Sequence, residues 1–353
     1  GYTVEGFKEK DNGVEVLLKD NPSLQADMVV LAIGVTPDTV LAKKAGLELG
    51  IKESIVVNDR METSVPDIYA AGDAVQVKHY VTGNDALISL AGPANKQGRI
   101  IADNICGGDS RYLGSQGSSV IKVFDMTAAT TGINETNAKK SGLDVDTVIL
   151  SPMSHAGYYP GGKVMTMKVV FEKETYRLLG AQIIGYEGVD KRIDVLATAI
   201  HAGLKATQLK DLDLAYAPPY SSAKDPVNMA GFMIDNIAKG TLKQWHLEDM
   251  DKISKDKSVV LLDVRTVGEF NRGHMDGFRN IPVDELRERI NEIEKGKPVY
   301  LICQSGLRSY IASRILEGNG YETYNFSGGF RFYDAVVNDR ALIEKAYACG
   351  MDY

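Results

Sequence analysis

The sequence predicts a mixed α/β chain, on three observations. Strand, glycine-containing loop and helix alternate from residue 257 to about 340, the pattern of a compact α/β unit. From about residue 116 to 240, strands and helices alternate with an α+β texture. Ahead of both, short apolar strands stop at glycines, as in "ADMVVLAIGVTP" and "PDIYAAGDAV". At 353 residues the chain is long enough for two or three domains.

Taken in order, "GYTVEGFKEKDNGVEVLLKD" alternates like a hairpin cut from a larger sheet. Residues 1–34 then end in a short buried strand that stops at Gly34. Residues 55–75 read as two strands flanking a turn at Pro66. A helix begins at about Pro93 and stops at Gly107 and Gly108. Strands follow at 118–127, 147–151, 163–172 and 177–186, with helices at 134–141, 189–203 and 226–238. The polar "GTLKQWHLEDMDKISKD", 240–256, reads as a linker running into a short helix. The last unit runs strand "SVVLLDV", helix 283–293, strand "VYLIC", helix 309–317 and strand "ETYNF". There is no internal repeat and no low-complexity tract.

Composition excludes several classes of function. The chain is 44% hydrophobic and 25% charged, as globular proteins are, and its net charge of −7 argues against a nucleic-acid partner. No apolar run reaches the length of a bilayer span and the first residues lack a signal-peptide pattern, so no membrane partner is expected. The 3 cysteines, Cys106, Cys303 and Cys349, are scattered and odd in number, which points to a reducing cytoplasm rather than a disulfide framework. Cys106 and Cys349 read as ordinary thiols.

Cys303 is different. Val299 to Ile302 lead into it, Gln-Ser-Gly-Leu-Arg-Ser follows, and an amphipathic run from Tyr310 to Glu317 closes on Gly318. A cysteine between a strand end and a helix start faces free backbone N–H groups and the positive end of the helix dipole. The anion favoured there can be the thiolate itself, the nucleophilic form. A buried strand-end cysteine is the competing reading, but the polar loop and Arg308 are poor company for a core thiol.

In "PDIYAAGDAV", Gly72 permits close backbone approach to a ligand and Asp73 presents an acceptor carboxylate. The stretch resembles the second flavin motif of the pyridine nucleotide–disulfide oxidoreductase family. "VVLAIGVTPDT" resembles the family's exit from the NAD domain, and "SLAGPANKQGRIIADNICG" the helix whose N-terminus points at the flavin pyrimidine. The resemblance implies FAD, with Asp73 on the ribityl chain, Gly72 close beside it, and Pro93, Ala94 and Asn95 against the isoalloxazine. Gly34 and Val35 would lie near the nicotinamide path of NADH or NADPH. No G-x-G-x-x-G occurs and the family's redox-active cysteine has no counterpart. The expectation is therefore a carboxyl-terminal part, with about two hundred residues upstream.

"HAGYYPGG" and "LAYAPPYSSAKDPVNMAG" are Tyr-, Pro- and Gly-rich loops of fixed geometry. They resemble the interface loops of coenzyme A-disulfide reductases, which implies that Tyr158 and Tyr216 cross a homodimer interface towards the partner's cysteine and coenzyme A. A phenol can donate to a thiolate or persulfide leaving group. His155 reads as a solvated loop histidine. "EGVDKRIDVLATAIHAG" resembles the family's interface helix. Lys96, Arg99, Lys191 and Lys224 read equally as solvated charge or as contacts to coenzyme A phosphates.

Residues 257–340 resemble a single rhodanese domain, in "LLDVRTVGEFNRGHMDGFRNIPVDEL" and in "CQSGLRS". The resemblance makes Cys303 the persulfide-forming nucleophile, its sulfur ringed by backbone N–H groups. Arg308 supplies a fixed charge able to pair with a thiosulfonate or an acidic side chain. Asp263, Arg265 and His274 read as braces. Cysteine phosphatases share this loop architecture with five residues between Cys and Arg; here Gln304 to Leu307 make four, a cradle suited to one sulfur atom.

Together the resemblances imply an α/β fold divided as follows: 1–34, the end of an NAD-binding domain; 35–115, part of an FAD-binding domain; 116–240, a dimerisation domain; 241–256, a linker; 257–353, a rhodanese domain. The implied activity is NAD(P)H- and FAD-dependent reduction of coenzyme A disulfide or of coenzyme A and other small persulfides, coupled to sulfane-sulfur transfer at Cys303. Two alternatives stay open: an NADH oxidase or peroxidase flavoprotein with a sulfurtransferase domain, and a rhodanese domain that only docks or senses.

Overall fold

The computed structural model describes residues 2–338; Cys349 lies outside them. The expected hairpin is present as β1 (Val4–Lys10) and β2 (Gly13–Leu18), and β3 (Leu24–Ala26) adds to β2. The expected buried strand ending at Gly34 does not form. A strand buried on both faces needs ladder partners and covering layers. The described residues supply neither, so Met28, Val30, Leu31, Ile33 and Val35 are exposed.

A short helix α1 (Val40–Lys44) leads to a small three-stranded sheet of β4 (Ile55–Val56), β5 (Val75–Lys78) and β6 (Asp85–Ala86). Only β4 and one bridge, Glu62 with Tyr69, stand for the two strands expected at 55–75. Gly72–Ala74 is a 3₁₀ turn before β5, not the end of a ladder strand. Helix α2 (Ala91–Ile105) starts two residues earlier than expected, which places Pro93 in its first turn, where a missing N–H costs nothing.

The middle unit is an antiparallel sheet in the order β7-β8-β11-β10-β9: β7 (Ser119–Val123), β8 (Met126–Gly132), β9 (Val145–Leu150), β10 (Thr166–Glu172) and β11 (Leu178–Gly185). The strand expected at 118–127 doubles back at Phe124 and Asp125 to make the β7–β8 hairpin. Helices α3 (Glu135–Lys140), α4 (Val189–His201) and α5 (Pro226–Ala238) fall where the sequence places them. The largest core is here: Met167, Val169, Leu179 and Ile183 of the sheet are buried with Leu196 of α4 and Val227 and Ile234 of α5.

The last unit is a sheet in the order β12-β16-β15-β13-β14, parallel throughout: β12 (Gln244–Trp245), β13 (Val260–Asp263), β14 (Arg279–Asn280), β15 (Val299–Ile302) and β16 (Thr323–Phe326). Helices α6 (Met250–Ile253), α7 (Val267–Arg272) and α8 (Leu307–Glu317) connect its strands. The expected linker is therefore part of the packed layer. Trp245 decides this: it is 2% exposed, in a cluster with Phe278 and Phe326, and its indole N–H donates to the Leu301 carbonyl at 3.3 Å. The helix expected at 283–293 is a run of tight turns closed by i→i+3 bonds and one i→i+4 bond, from the Arg289 N–H to the Glu285 carbonyl, ending in a 3₁₀ turn at Ile290–Glu292. Its apolar period survives, since this tighter winding still buries Leu286 and Ile293.

Middle and last units are docked along the edge strand β9. The Ile149 N–H donates to Ser327 Oγ at 3.0 Å, Gln244 Nε2 donates to the Thr147 carbonyl at 2.7 Å, and His246 Nε2 lies 3.1 Å from Asp146 Oδ1. An open sheet edge is thereby covered. No helix among the described residues is long and apolar enough to cross a membrane.

Candidate active site

The Cys303 loop is built by local rules. Strand β15 ends at Ile302, Gly306 takes φ +97, and α8 begins at Leu307. The turn brings the Gly306 N–H to 3.2 Å from Cys303 Sγ, and the Ser309 hydroxyl, one turn into α8, lies 3.2 Å from Sγ and 3.1 Å from the Gly306 carbonyl, its one proton shared between the two acceptors. Cys303 is 1% exposed, so its sulfur is held by donors inside the protein rather than by water. Such donors stabilise a thiolate or persulfide anion.

Arg308 does not lie free beside the sulfur. Its two terminal nitrogens each donate to Glu269 at 2.7 Å, a bidentate pair that ties α8 to α7. Of the two partners expected for Arg308, the acidic side chain is the one present. Arg308 thereby holds the Glu269 carboxyl down at about 2, against an opposing push from burial and with further help from Thr266. A depressed carboxyl stabilises the fold fully above its ordinary value of 4.5 and loses that contribution as pH falls towards about 2. Denaturant midpoints of the last unit should therefore drop between pH 5 and pH 2. Glu269→Gln should flatten that dependence; an unchanged profile would count against the pair.

The braces are as expected. Arg265 and Asp263, both buried, pair with nitrogen–oxygen distances of 2.6 to 3.0 Å. Arg265 also donates to the Gly273 carbonyl at 2.8 Å and stacks 3.8 Å over the Phe330 ring. His274 stacks on Phe270. Gly329 was not legible as part of the site. At φ +69, a Cβ there would lie 2.6 Å from the Ser305 nitrogen and 2.7 Å from the Gln304 carbonyl carbon. The signal was the doubled glycine in "FSGGF". Gly329→Ala should push the loop off its sulfur and lower loading of Cys303 at least tenfold, at a strain of about 1–3 kcal/mol. Sulfane-sulfur labelling measures it, and full labelling would refute the contact.

A second group of residues converges 58 positions apart in sequence: Tyr158 and Tyr216 meet through their hydroxyls at 2.5 Å. Both rings are exposed, and the hydrogen bond to Tyr158 raises the Tyr216 hydroxyl above its usual range, with burial adding to it. Behind them is Arg192, 1% exposed, which sequence reasoning passed over. It donates to Asp225 at 2.9 Å, to the Ser154 carbonyl at 2.9 Å, and to the Tyr220 carbonyl at 3.4 Å. One guanidinium thus holds both tyrosine loops. His155 is buried rather than solvated, its Nδ1 at 3.1 Å from the Ala156 carbonyl and its ring edge-on to Tyr159. A cavity of about 510 Å³ beside this group is lined by His155, Lys191, Arg192, Tyr216 and Tyr220.

The third group is the Gly72–Ala74 turn against α2. The Gly72 N–H donates to buried Gln97 Oε1 at 2.7 Å, and at φ +86 a Cβ on Gly72 would reach Ala94. The Asp73 side chain is exposed and makes no hydrogen bond or ion pair among the described residues. The first turn of α2 has no side-chain cap, which leaves the Ala91 and Gly92 N–H groups free; Pro93 has none and the Ala94 N–H donates to the Leu90 carbonyl at 3.2 Å. Gly34 stands apart: its φ is +99 and nothing lies within 4 Å of a Cβ built there. Cys106 caps the far end of α2 and is exposed.

The sulfur cradle, the paired-tyrosine loops and the start of α2 thus stand on one mixed α/β chain whose last unit is a separate parallel sheet. The chain belongs to the pyridine nucleotide-disulphide oxidoreductase family and carries a rhodanese-like domain. Residues 1–98 match the family itself, 118–226 its dimerisation domain, and 246–335 the rhodanese-like domain. The structure is similar to that of reduced Bacillus anthracis CoADR-RHD, at 46% identity and a TM-score of 0.92 over 96% of this chain and 60% of that one. It is also similar to a NAD-dependent persulfide reductase from A. fulgidus, at 41% identity and a TM-score of 0.85 over 94% of this chain and 61% of that one. A curated relative, the NAD(P)H sulfur oxidoreductase (CoA-dependent) of Pyrococcus furiosus, is 39% identical over 61% of this chain and 48% of its own length. The chain spans about half the length of the curated relatives it matches.

Proposed function

We propose that this chain works in NAD(P)H-dependent reduction of coenzyme A disulfide, or of coenzyme A and other small persulfides, with Cys303 carrying sulfane sulfur to or from the reductive site. The observation that carries the reading is the Cys303 cradle: Gly306 and Ser309 both donate to one buried sulfur. Donors fixed around a sulfur stabilise the charge of a persulfide without reorganising. The names of the similar proteins, which act on sulfur, coenzyme A compounds or persulfides, favour the same reading.

The residues of the Gly72–Ala74 turn fit FAD: Asp73 has a free carboxylate for a ribityl hydroxyl, and the uncapped start of α2, which leads into Pro93, Ala94 and Asn95, suits the electron-rich end of the ring. FAD, when bound there, supplies the two-electron relay between nicotinamide and sulfur. In this reading Tyr158 and Tyr216 donate a proton to a departing thiolate, and Arg308 with Glu269 orients α8. Gly34 borders the nicotinamide path. We also place 1–34 at the end of the NAD-binding domain, 35–115 in the FAD-binding domain and 116–240 in a dimerisation domain that forms a homodimer in a reducing cytoplasm. The remainder of the chain belongs to the sulfur-transfer domain.

The test is sulfide released per NADH oxidised, with coenzyme A persulfide as substrate and the whole protein as expressed. A ratio of one supports persulfide reduction. Oxidation of NADH with oxygen alone, and no turnover of either coenzyme A compound, would favour the oxidase reading.

A further inference from the structure

Between the middle and last units is a cavity of about 370 Å³ that touches the Cys303 loop. Met229, Phe232 and Met233 of α5 form one side with Leu150, and Ser305 and Gly306 of the loop form the other. The lining is mostly apolar, yet two of its residues, Ser151 and Asn325, each bury a side-chain oxygen that has no hydrogen-bond partner. Asn325 is 4% exposed. Its Nδ2 donates to the Gly306 carbonyl at 3.1 Å, and the N–H of the same Gly306 donates to Cys303 Sγ. The amide that carries the unpaired acceptor is thus hydrogen-bonded to the residue whose N–H meets the sulfur. Native proteins seldom leave such an oxygen unpaired, and a ligand that brings an N–H or O–H would satisfy it. Lys224, its Nζ 5.1 Å from the Phe232 ring centroid, puts a cation on the same lining.

We propose that this cavity is the acceptor subsite of Cys303, and that it takes a small thiol with an alkyl body and an amide or hydroxyl donor. The inference rests on the sulfur-transfer reading above and adds which part of the acceptor is recognised: its apolar body and its donor. The acceptor thiolate, its charge favoured by Lys224, attacks the outer sulfur of the Cys303 persulfide. A new S–S bond forms to the acceptor. The bond from the outer sulfur to Cys303 breaks and its electron pair leaves on Cys303 as thiolate. The acceptor departs as its persulfide, with no oxidant or reductant consumed.

The test loads Cys303 with sulfane sulfur and follows transfer to N-acylcysteamines of increasing acyl length, with cyanide as a small reference acceptor. The expected result is a rise in kcat/KM of about fourfold per methylene until the cavity is full. Met233→Trp, which fills the cavity, should flatten the series. Phe232→Ala, which enlarges it, should move the plateau to longer chains, so the test stands even where the tryptophan variant fails to fold. A series that is flat in the unaltered protein while cyanide accepts sulfur overturns the subsite alone. No transfer even to cyanide overturns the sulfur-transfer reading and the subsite with it.

Discussion

Cys303→Ser is expected to abolish sulfur loading, lowering sulfane-sulfur transfer to cyanide by three or more orders of magnitude. An alcohol in place of the thiol removes the nucleophile, and residual transition-state contacts do not restore it. The fold should survive, because the hydroxyl is smaller and can accept from the Gly306 N–H and Ser309 Oγ, which now meet the sulfur at 3.2 Å. Ser309→Ala tests the cradle separately. It removes one hydrogen bond to a charged sulfur, worth about 1.5–3 kcal/mol, so transfer should fall about tenfold to a hundredfold. Mass spectrometry of the loaded protein, one added sulfur against none, reads the first variant. Loading that persists in Cys303→Ser would move the sulfur site to another residue.

Arg192→Met should be the most destabilising single change in the middle unit, by about 3–5 kcal/mol, because it strands a buried carboxylate. Asp225 is held low by Ser221, the Val227 N–H and Arg192 against the upward push of burial. It also caps α5, accepting from the Val227 N–H at 3.0 Å. Arg192→Met with Asp225→Asn keeps a capping side chain and removes the stranded charge, so it should recover part of the loss. Thermal unfolding checks both, with a fall in Tm on the order of 10 °C for the single variant. A single variant as stable as the unaltered protein would show that the pair is not needed. The same variant should loosen the Tyr158 and Tyr216 loops, since Arg192 binds carbonyls on both.

Short-range chemistry is legible in this sequence. A strand that ends at a cysteine, a glycine free to take positive φ, and a helix start are all set within a dozen residues, so the turn at Cys303 was legible; its donors were not, since the expected ring of backbone N–H groups is one N–H, from Gly306, and the Ser309 hydroxyl. The same holds for helix α2 with Pro93 in its first turn and for the β1–β2 hairpin. Periodicity alone misled where winding is a matter of packing. Residues 283–293 carry a helical apolar pattern, but i→i+3 turns bury the same Leu286 and Ile293. Residues 241–256 are polar on average, and one tryptophan turned part of them into a sheet strand.

Which distant groups meet is settled by packing. Glu269 and Arg308 are 39 residues apart, Arg192 and Asp225 are 33, and Tyr158 and Tyr216 are 58. Nothing local encodes those pairs; they exist because α7 faces α8 and because α4, α5 and two loops share one buried guanidinium. The cavity beside Gly306 is the extreme case, since its two sides come from different folding units. It arises where β9 docks against Gln244, His246 and Ser327, and that docking depends on edge hydrogen bonds that no sequence pattern displays.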